Sequence, residues 1–502
     1  MNTQHPVQTS SQQHIHNRPS RTKIVATLGP ASDPEEKLAD IIKAGVDVFR
    51  LNMAHGKTDV SQERLDRIRK ISRELGIPVG VLADLAGPKM RLGEIPNGGS
   101  YTCTSEKPIR FVRGTQTGEP DTFTTTYEPL IDDLELGNKI MLADGSVICV
   151  VVAKDANSVT CKITQPGTVR SRQGVNLPGV RLSIRTLQDI DIINAKWATK
   201  AGVDFLGLSF VRSPDDIREL RAIIREEAGR GNHVPHIIAK IEKPEALERL
   251  EEIIDVADGI MVARGDLGVE TDIAQIAIVQ KRIIEMCHQK NKPVITATQM
   301  LESMHTSTLP TRAEATDVAN AILDGTDACM LSGETAVGQY PIQAVQMMHR
   351  IALETEELIK VRAISEMERR SKVLLNQRAT GEKNSVPDVT VESASYLAEI
   401  SGAKMIIIST ASGRTALRLS KIRHFAMTIG CSTNDFALQR MALYWGVIPT
   451  KINAEAPRNM LDEVISQAKN EGFLEIGDRI VLVANPSSGV GNRRLLYIDE
   501  IM

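Results

Sequence analysis

From Lys23 onward, short runs rich in β-branched residues alternate with amphipathic helical segments. Eight such runs occur, at 23–29, 46–52, 79–85, 203–210, 236–242, 259–266, 293–299 and 327–333. A helical segment follows each run except the third, whose helix is displaced by an insertion. Eight strand–helix units joined by right-handed crossovers predict a closed (β/α)8 TIM barrel. A doubly wound open sheet is the alternative, but the even count and the polar residues at the ends of nearly all runs favour the barrel.

The insertion, from about residue 92 to 187, has a different sequence pattern. Alternating apolar and polar residues replace helical periodicity, as in KIMLADGSVICVVVA and SVTCKITQPGTVRS, with turn signals at Asp144-Gly145 and Asp155-Ala156-Asn157. This pattern predicts a small all-β domain, a β-barrel inserted in a loop at the catalytic face of the larger barrel. From that position it could act as a lid that excludes water. A passive decoration is the alternative.

After about residue 362 a charged helical stretch leads into a further α/β pattern, with apolar runs at 405–410, 424–430, 446–452 and 479–485. The segment STASGRTA (409–416) places Gly413 between a strand and a helix, where backbone N–H groups and hydroxyls can bind phosphate. Turns of this kind also occur for packing reasons. Gly489 and Gly491 would form a second wall of the same site. We therefore expect a disordered tail over 1–19, the barrel over 20–91 and 188–362, the inserted domain over 92–187 and a C-terminal α/β regulatory domain over 363–502.

Length, charge and cysteine content limit the classes of protein to which this chain can belong. A chain of 502 residues is too long for one core, so two to four domains are expected. Its 60 basic and 63 acidic residues leave a net charge of −3, which argues against a binder of nucleic acid or membrane surfaces. Six scattered cysteines without a CxxC motif indicate reduced thiols in a cytoplasmic protein. Residues 1–19 lack the apolar core of a signal peptide, and we interpret His14 and His16 there as solvated.

Charged residues end two consecutive apolar runs in KIEKPEALERLEEIIDVADGIMVARGDLGVE. Lys240 and Glu242 end the first run, and Arg264 and Asp266 end the second. Because parallel strands of a barrel end at the same face, these side chains are expected to converge. Two carboxylates and a lysine suit a divalent metal beside a phosphorylated substrate. A surface salt-bridge cluster is the alternative, although its usual place is a solvated helix face.

Other strand ends add polar groups that a packed barrel does not need: Arg50, Asn52, Asp84, Ser209, Thr298, Gln299, Ser332 and Glu334. Such a mouth suits phosphoryl transfer, in which negative charge spreads over three oxygens. Arg50 offers a planar fork for phosphate and Lys240 a point charge. Glu242 and Asp266 offer hard oxygen ligands for Mg²⁺. The sequence contains neither a Walker A motif nor the protein-kinase loop motifs.

Five motifs in this order resemble pyruvate kinase: FRLNMAHG, KIEKPEAL, MVARGDLGVE, ATQMLESM and PTRAEATDVANAILDGTDACMLSGETAVGQYP. The resemblance covers about residues 20–500 and includes the inserted β domain and the C-terminal domain. It implies phosphoryl transfer from phosphoenolpyruvate to ADP, giving ATP and an enolate that is protonated to pyruvate. It also implies a homotetramer in the cytoplasm.

The resemblance implies roles for individual residues. Arg50 would hold the phosphoryl group, Lys240 would stabilise it during transfer, and Glu242 and Asp266 would bind Mg²⁺ or Mn²⁺. The substrate-binding and proton-delivery groups would be Asp266, the backbone of Ala263, Arg264 and Gly265, and the hydroxyls of Thr298 and Ser332. The nucleotide would meet Arg50, Asn52, His55 and Arg91.

The family's potassium site is altered in this chain. Asn52 and Asp84 remain, but Ala54 replaces a serine and Leu85 replaces a threonine whose backbone carbonyl would survive the change. Lys89 stands where potassium-dependent relatives carry a glutamate. Because an ammonium group can supply the charge of a monovalent cation, we predict that K⁺ is not required. A weakened site beside a solvated lysine is the alternative.

Two further comparisons with the family concern the nucleotide and an effector. Gln188 and Val337 align where lysines commonly touch nucleotide phosphates, which leaves nucleotide preference open. The segment Thr410, Ser412, Gly413, Arg414 and Thr415 matches a loop that binds effector phosphates. No clear basic anchor lies opposite, although Arg493 and Arg494 are near in sequence, so AMP or a pentose phosphate is favoured over a bisphosphate. Two other functions stay open: a metal-dependent lyase or aldolase acting on a 2-oxo acid, and an inactive sensor of sugar phosphates.

Overall fold

A computed structural model describes residues 20–54, 58–96, 99–114, 119, 121–143, 145–377, 385–453, 457–484 and 495–502. The strands are β1 Lys23–Thr27, β2 Val48–Asn52, β3 Gly80–Asp84, β4 Ser100–Cys103, β5 Ile109–Val112, β6 Thr122–Phe123, β7 Lys139–Leu142, β8 Val147–Lys154, β9 Ser158–Gln165, β10 Gly167–Arg170, β11 Val175–Asn176, β12 Phe205–Leu208, β13 His236–Ile241, β14 Gly259–Ala263, β15 Val294–Ala297, β16 Ala328–Leu331, β17 Met405–Ser409, β18 Met427–Ser432, β19 Val447–Lys451, β20 Arg479–Ala484 and β21 Leu495–Glu500.

The helices are α1 Glu35–Ala44, α2 Thr58–Leu75, α3 Leu130–Asp133, α4 Asp189–Lys200, α5 Pro214–Ala228, α6 Pro244–Glu248, α7 Leu250–Val256, α8 Arg264–Glu270, α9 Ile276–Gln289, α10 Arg312–Leu323, α11 Gly333–Ala336, α12 Pro341–Gln377, α13 Val386–Ile400, α14 Arg414–Lys421, α15 Asp435–Met441 and α16 Pro457–Asn470. Two 3-10 turns, Ile273–Gln275 and Glu302–His305, lie in loops of the larger barrel.

Eight parallel strands close into a barrel in the order β1-β16-β15-β14-β13-β12-β3-β2. Each strand lies within one of the eight runs that the sequence analysis identified, so the (β/α)8 prediction is confirmed and the open sheet is excluded. The register pairs Lys240 with Met261 and Asn52 with Asp84. The polar ends of neighbouring strands therefore meet at one mouth, where catalytic groups of such barrels lie.

The barrel strands are buried on both faces. In β1, Ile24 and Ala26 pack among the surrounding helices, whereas Val25 belongs to a second cluster that also includes Met261. That second cluster continues into the C-terminal domain, where Tyr444 is one of its members. Burial on both faces explains why the strands appear in sequence as continuous apolar runs.

The inserted segment folds around a core of its own. Its strands form a six-stranded sheet, β11-β7-β8-β9-β5-β6, and a two-stranded sheet, β10-β4. Phe111, Phe123 and Leu142 are among its fully buried residues. The insertion is therefore all-β apart from the short α3, and its described strands form two sheets. The limits at 92 and 187 stay predictions.

The C-terminal segment forms a five-stranded sheet in the order β19-β18-β17-β20-β21. Four strands are parallel. Three lie within the predicted runs, and β18 overlaps the run 424–430 but continues to Ser432. The strand β21 is antiparallel to β20 and was not predicted. The helix α12 continues to Gln377, so the expected boundary at residue 362 falls inside a helix. Asp327 of the barrel pairs with Lys421 at 2.5 Å and Arg423 at 3.0 Å, and these buried contacts join the sheet to the barrel.

All six cysteines are free, which agrees with the predicted reduced thiols, and all six are buried. Over the described ranges, no helix has both the length and the apolar character needed to cross a membrane.

Candidate active site

Most of the predicted site residues line one cleft at the barrel mouth. The predicted residues in its wall are Arg50, Asn52, Asp84, Leu85, Lys89, Lys240, Glu242, Ala263, Asp266, Thr298 and Ser332. They come from the ends of six strands and from the loops that follow, so the convergence expected of a TIM-barrel mouth is present.

Lys240 lies at the centre of a buried charge network. Its Nζ is 2.8 Å from Glu242 Oε1 and 3.4 Å from Asp84 Oδ1, and it donates to Ser209 Oγ at 2.7 Å. Glu242 is 1% exposed and Asp84 is 2% exposed. An ammonium between two buried carboxylates is held in one position and keeps its charge, which is the arrangement needed to meet an anionic group.

The electrostatics of the network agree with that geometry. Burial lowers the pKa of Lys240, but Asp84 and Glu242 raise it by more, so the net pKa lies above its usual value. Burial raises the pKa of Asp84, but the positive charges of Lys240 and Arg50 lower it by more and hold it below the usual range. For Glu242, burial together with the negative Asp266 raises the pKa despite the contact with Lys240. A further cation near Glu242 and Asp266 would relieve that repulsion.

The pair Glu242 and Asp266 fits a divalent cation. Glu242 Oε2 accepts a hydrogen bond from the Phe210 amide at 2.7 Å, which fixes the carboxylate. The carboxylate of Asp266 forms no hydrogen bond or ion pair with another described residue, although it lines the same cleft. Two hard carboxylates, one of them unpartnered, form the donor set that Mg²⁺ prefers when substrate oxygens complete its coordination.

Arg50 lies at the end of β2 and is held from one side. Its Nε donates to Asp84 Oδ2 at 2.7 Å and its Nη1 donates to Thr27 Oγ1 at 3.1 Å. No hydrogen bond joins Nη2 to any residue in the described ranges. The guanidinium is therefore oriented by two bonds and retains N–H groups for a planar oxyanion such as a phosphoryl group.

The loop after β15 has an unusual backbone. Thr298 and Gln299 have φ values of 65° and 53°, a conformation that residues with side chains rarely adopt. The amide of Gly265 donates to Thr298 Oγ1 at 2.7 Å, and Nη2 of Arg264 donates to the Thr298 carbonyl at 2.8 Å. These bonds hold the Thr298 hydroxyl at the mouth beside the start of α8.

The side chain of Arg264 faces away from the cleft. Its Nη1 pairs with Asp317 at 2.6 Å, its side chain is 9% exposed, and neither Arg264 nor Gly265 lines the cleft wall. The charged pair expected at the end of the sixth run thus divides, because Asp266 faces the cleft and Arg264 supports the Thr298 loop. The role of the Arg264 and Gly265 backbone stays a prediction.

The expected replacement of the potassium site has a defined geometry. Asn52 Oδ1 accepts from the Ala54 amide at 3.1 Å, and the Leu85 carbonyl accepts from Ser209 Oγ at 2.7 Å. Lys89 is exposed and lines the cleft. Its Nζ has no carboxylate within 4.0 Å among the described residues.

The charges around Lys89 shift its pKa in opposite directions. Partial burial and the nearby charge of Lys240 lower the pKa of Lys89, whereas Asp84 and Asp266 raise it. The Lys89 ammonium therefore interacts electrostatically with Asp84 and Asp266, although it forms no ion pair with either carboxylate.

Several residues considered in the sequence analysis do not line this cleft. Arg91 is at the base of the inserted domain, where its amide donates to Thr126 Oγ1 and its Nη1 donates to the Arg172 carbonyl. Gln188 precedes α4, and its side-chain amide donates to the Arg185 carbonyl at 2.6 Å. Val337 follows α11 and is 65% exposed. His55 lies outside the described residues, so its predicted contact with the nucleotide is untested.

The predicted phosphate loop forms a turn between β17 and α14. Gly413 precedes the helix with φ 80°, and its amide donates to Thr410 Oγ1 at 3.0 Å. Arg414 Nε donates to Ser412 Oγ at 3.3 Å, and Thr415 lies in the first turn of the helix. Gly489 and Gly491, which were expected to form the second wall, fall outside the described residues, so that wall is untested. Arg493 and Arg494 also fall outside them.

Three residues important to the site were not identified from the sequence. Phe210 contributes the amide that binds Glu242 and has φ 56°. Lys243 pairs with Glu270 at 2.6 Å, and both are buried beside the mouth. Asn176 of the inserted domain lies near enough to Glu270 to lower the pKa of that carboxyl, although burial raises it by more. The only sequence signal was the charged KIEKPE segment, which did not indicate a partner for Lys243.

Comparisons with known proteins agree with this geometry. The family model described as pyruvate kinase, barrel domain, matches residues 19–345, and that of the pyruvate kinase alpha/beta domain matches residues 388–497. The chain is 38% identical to pyruvate kinase of Geobacillus stearothermophilus over 489 residues, 96% of this chain and 80% of that protein. Pyruvate kinase of Bacillus licheniformis is also 38% identical, over 481 residues, 95% of this chain and 80% of that protein.

A solved structure extends the similarity to three dimensions. The crystal structure of a pyruvate kinase from Cryptosporidium parvum superimposes with a TM-score of 0.88 at 33% sequence identity and covers 96% of this chain and 97% of that one. Both family models, two sequence relatives and this structure agree on one family over nearly the whole chain. The chain therefore belongs to the pyruvate kinase family of phosphotransferases.

Proposed function

We propose that this chain transfers the phosphoryl group of phosphoenolpyruvate to ADP in a reaction that depends on Mg²⁺ or Mn²⁺ and does not require K⁺, the last step of glycolysis. The convergence of Arg50, Lys240, Glu242 and Asp266 in one cleft is the observation that carries the proposal. A catalytically inactive sensor would not need a buried lysine held between two carboxylates.

In the proposed reaction a terminal phosphate oxygen of ADP forms a bond to the phosphorus of phosphoenolpyruvate, and the bond from phosphorus to the enol oxygen breaks. Negative charge accumulates on the oxygens of the transferred group. Arg50 and Lys240 would neutralise that charge from fixed positions, since each is oriented by contacts with Asp84. Preorganised cations act most strongly in a cleft with little water.

Glu242 and Asp266 would hold the divalent cation, which when bound neutralises charge on the substrate carboxylate and the enol oxygen. The backbone at Ala263–Gly265, together with Thr298, would orient the substrate carboxylate. After transfer, the enolate must take a proton at its methylene carbon. The hydroxyls of Thr298 and Ser332 line the cleft and would belong to the network that delivers it.

Independence from K⁺ rests on the residues around Lys89. The oxygens of Asn52 and Leu85 that would bind K⁺ already accept internal hydrogen bonds. The Lys89 ammonium lies in the field of Asp84 and Asp266 and carries the positive charge that the site needs. Since the cation is tethered, its local concentration does not depend on the medium.

The remaining expectations are part of the same proposal. The inserted domain would act as a lid, which is supported by the proximity of its Asn176 to Glu270 beside the mouth. Arg91 and His55 would meet the nucleotide, and the loop at Gly413 would bind a monophosphate effector such as AMP or a pentose phosphate in a homotetramer. Titration of either compound at sub-saturating phosphoenolpyruvate should shift the half-saturation concentration, and no shift would reject the effector.

The main test is pyruvate formation from phosphoenolpyruvate and ADP with Mg²⁺, in buffers with K⁺ and in buffers where only tetramethylammonium is present. We expect equal turnover in both buffers and no pyruvate without ADP. Turnover only with K⁺ would retain the kinase and reject the role of Lys89. Folded protein without turnover in either buffer would reject the activity, and cleavage of a 2-oxo acid by the same sample would indicate a lyase.

A further inference from the structure

A second cluster of possible metal ligands lies on the loops that follow β15 and β16. It consists of Glu302 and His305, which begin and end a 3-10 turn, and Glu334 in α11. One ligand atom from each residue lies within 4.8 Å of the other two. Glu334 is one of the polar strand ends predicted at the barrel mouth, but none of the three residues lines the wall of the phosphoryl-transfer cleft. The cluster therefore needs an explanation of its own.

The imidazole of His305 lacks a hydrogen-bond partner at a buried atom. Its Nε2 is inaccessible to solvent and forms no hydrogen bond within the described part of the chain. Glu302 Oε1 lies 3.8 Å from that nitrogen, too far for a hydrogen bond. A β-carbon at Gly333 would overlap Cε1 and Nε2 of the ring, so the absence of a side chain there leaves the space that the imidazole occupies. A buried acceptor or donor without a partner is costly.

Glu334 is buried and has no ion-pair partner among the described residues. It is 0% exposed, and its two oxygens accept hydrogen bonds from the amides of Leu301 at 3.1 Å and Ser332 at 2.7 Å. These bonds orient the carboxylate but leave lone pairs on each oxygen. Burial is the largest influence on its pKa and raises it, and the negative Glu302 acts in the same direction. A cation among the three side chains would offset both the burial of the Glu334 carboxylate and its repulsion by Glu302.

We propose that Glu302, His305 and Glu334 form a binding site for a divalent transition metal of the Zn²⁺ type. One imidazole nitrogen and two carboxylates are a familiar zinc donor set, and water can complete a tetrahedron. Ligand atoms around zinc lie roughly 3.2–3.5 Å apart, as bond lengths near 2.0–2.1 Å require, so a small contraction of the cluster would be enough. Mg²⁺ and Ca²⁺ are disfavoured because both prefer oxygen ligands to imidazole nitrogen.

The site would join two loops of the barrel mouth. Glu334 already connects the amides of Leu301 and Ser332, which belong to the loops after β15 and β16. Metal binding would add Glu302 and His305 to this connection. The site is separate from Glu242 and Asp266, so it can be filled while Mg²⁺ and substrate occupy the cleft.

The test is a titration of the full chain with ZnCl₂ by isothermal calorimetry, in a chelator-free buffer that contains saturating Mg²⁺ and phosphoenolpyruvate. The wild type is compared with His305→Gln, with Glu302→Gln, and with His288→Gln as a matched control on α9. Histidines of the N-terminal segment are the same in all four proteins, so their contribution cancels. Glu302 is exposed, so its substitution is compatible with folding even if His305→Gln is not.

We expect the wild type and His288→Gln to bind one more Zn²⁺ per chain than His305→Gln. Glu302→Gln should bind this ion at least about tenfold more weakly, since even groups outside the ligand shell have effects of that size. Co²⁺ in place of Zn²⁺ should give visible absorption in the wild type that is lost in His305→Gln. Equal stoichiometry and affinity in the wild type, His305→Gln and Glu302→Gln would overturn the proposal.

Discussion

Lys240 Nζ and Glu242 Oε1 lie 2.8 Å apart, and both side chains are buried at the end of one strand. The two residues are separated by a single position, so their side chains would point to the same side of a regular strand. Lys240 belongs to the last part of β13, whereas Glu242 follows its end. Under the proposed function, the pair would place the charge for the phosphoryl group beside a ligand for the metal, and each role can be tested separately.

Substitution of Lys240 should abolish most of the activity. We expect Lys240→Met to lower kcat at least about 10³-fold, because the loss of one preorganised charge-stabilising group has effects of this order. Lys240→Arg, which keeps the charge but changes its position, should be intermediate. Steady-state assays with Lys107→Met, an exposed lysine of the inserted domain, serve as the control. A kcat within tenfold of wild type for Lys240→Met would contradict the assigned role.

Substitution of the two proposed metal ligands, Glu242 and Asp266, should weaken metal binding. Glu242→Gln and Asp266→Asn each remove a negative oxygen donor, so the Mg²⁺ concentration for half-maximal activity should rise by at least about 10-fold. Direct Mn²⁺ binding, followed by electron paramagnetic resonance, should weaken in parallel. The exposed Glu252, on α7, offers a control as Glu252→Gln. Unchanged Mn²⁺ affinity in both variants would show that the ion binds elsewhere.

Much of the barrel could be predicted because its strands are buried on both faces. Such strands appear as uninterrupted apolar runs, which is why all eight were located. Their ends were less certain: the run 259–266 contains β14 only as far as Ala263, and α8 begins at the next residue. The strand β21 was missed because its apolar run, LLYI, is short and most of its residues are exposed.

The site could be predicted where it depends on strand ends and not where it depends on side-chain packing. Lys240, Glu242 and Asp266 follow from topology alone. The orientation of Arg264 toward Asp317 depends on contacts from another helix, which no local pattern encodes. The positive φ at Phe210 could not be anticipated either, because residues with side chains seldom adopt it.

Lys89 should determine the response to monovalent cations. In Lys89→Glu the site loses its tethered cation and gains a negative charge, so we expect activity to fall without K⁺ and to recover at least partly when K⁺ is added. Lys89→Gln should fall between this variant and wild type. The measurement is kcat as a function of KCl at constant ionic strength. If Lys89→Glu and wild type respond identically to KCl, the lysine does not replace the cation.

The Thr298 hydroxyl is expected to act in proton delivery. It accepts the Gly265 amide at 2.7 Å and donates to the Ala297 carbonyl at 2.7 Å. Thr298→Ala should lower turnover by about 10²-fold, a typical contribution of a positioned proton-transfer group, whereas Thr298→Ser should retain most of it. Exchange of the methyl protons of pyruvate with solvent, followed by NMR, isolates this step. Equal exchange rates in Thr298→Ala and Thr298→Ser would exclude the hydroxyl from it.

His424 should make the folded state sensitive to acid. Burial, with a smaller contribution from the positive Arg21, lowers its pKa to about 3, and its Nδ1 has no hydrogen-bond partner within the described ranges. In the unfolded chain the imidazole regains a pKa of about 6.5. Below that pH the unfolded state therefore binds more protons, so stability is complete above about pH 6.5 and is lost as the pH falls toward 3.

Replacement of this histidine should reduce that loss. Between pH 6.5 and 5, His424→Gln should retain about 1.6 kcal/mol more of its free energy of unfolding than the wild type does. The contributions of His233 and His236, whose pKa values burial lowers to about 4, are the same in both proteins and cancel. Unfolding midpoints at the two pH values, with His288→Gln as the control, measure the difference. Parallel losses in His424→Gln and wild type would mean that His424 is protonated in the folded state, because it could then contribute no proton uptake on unfolding.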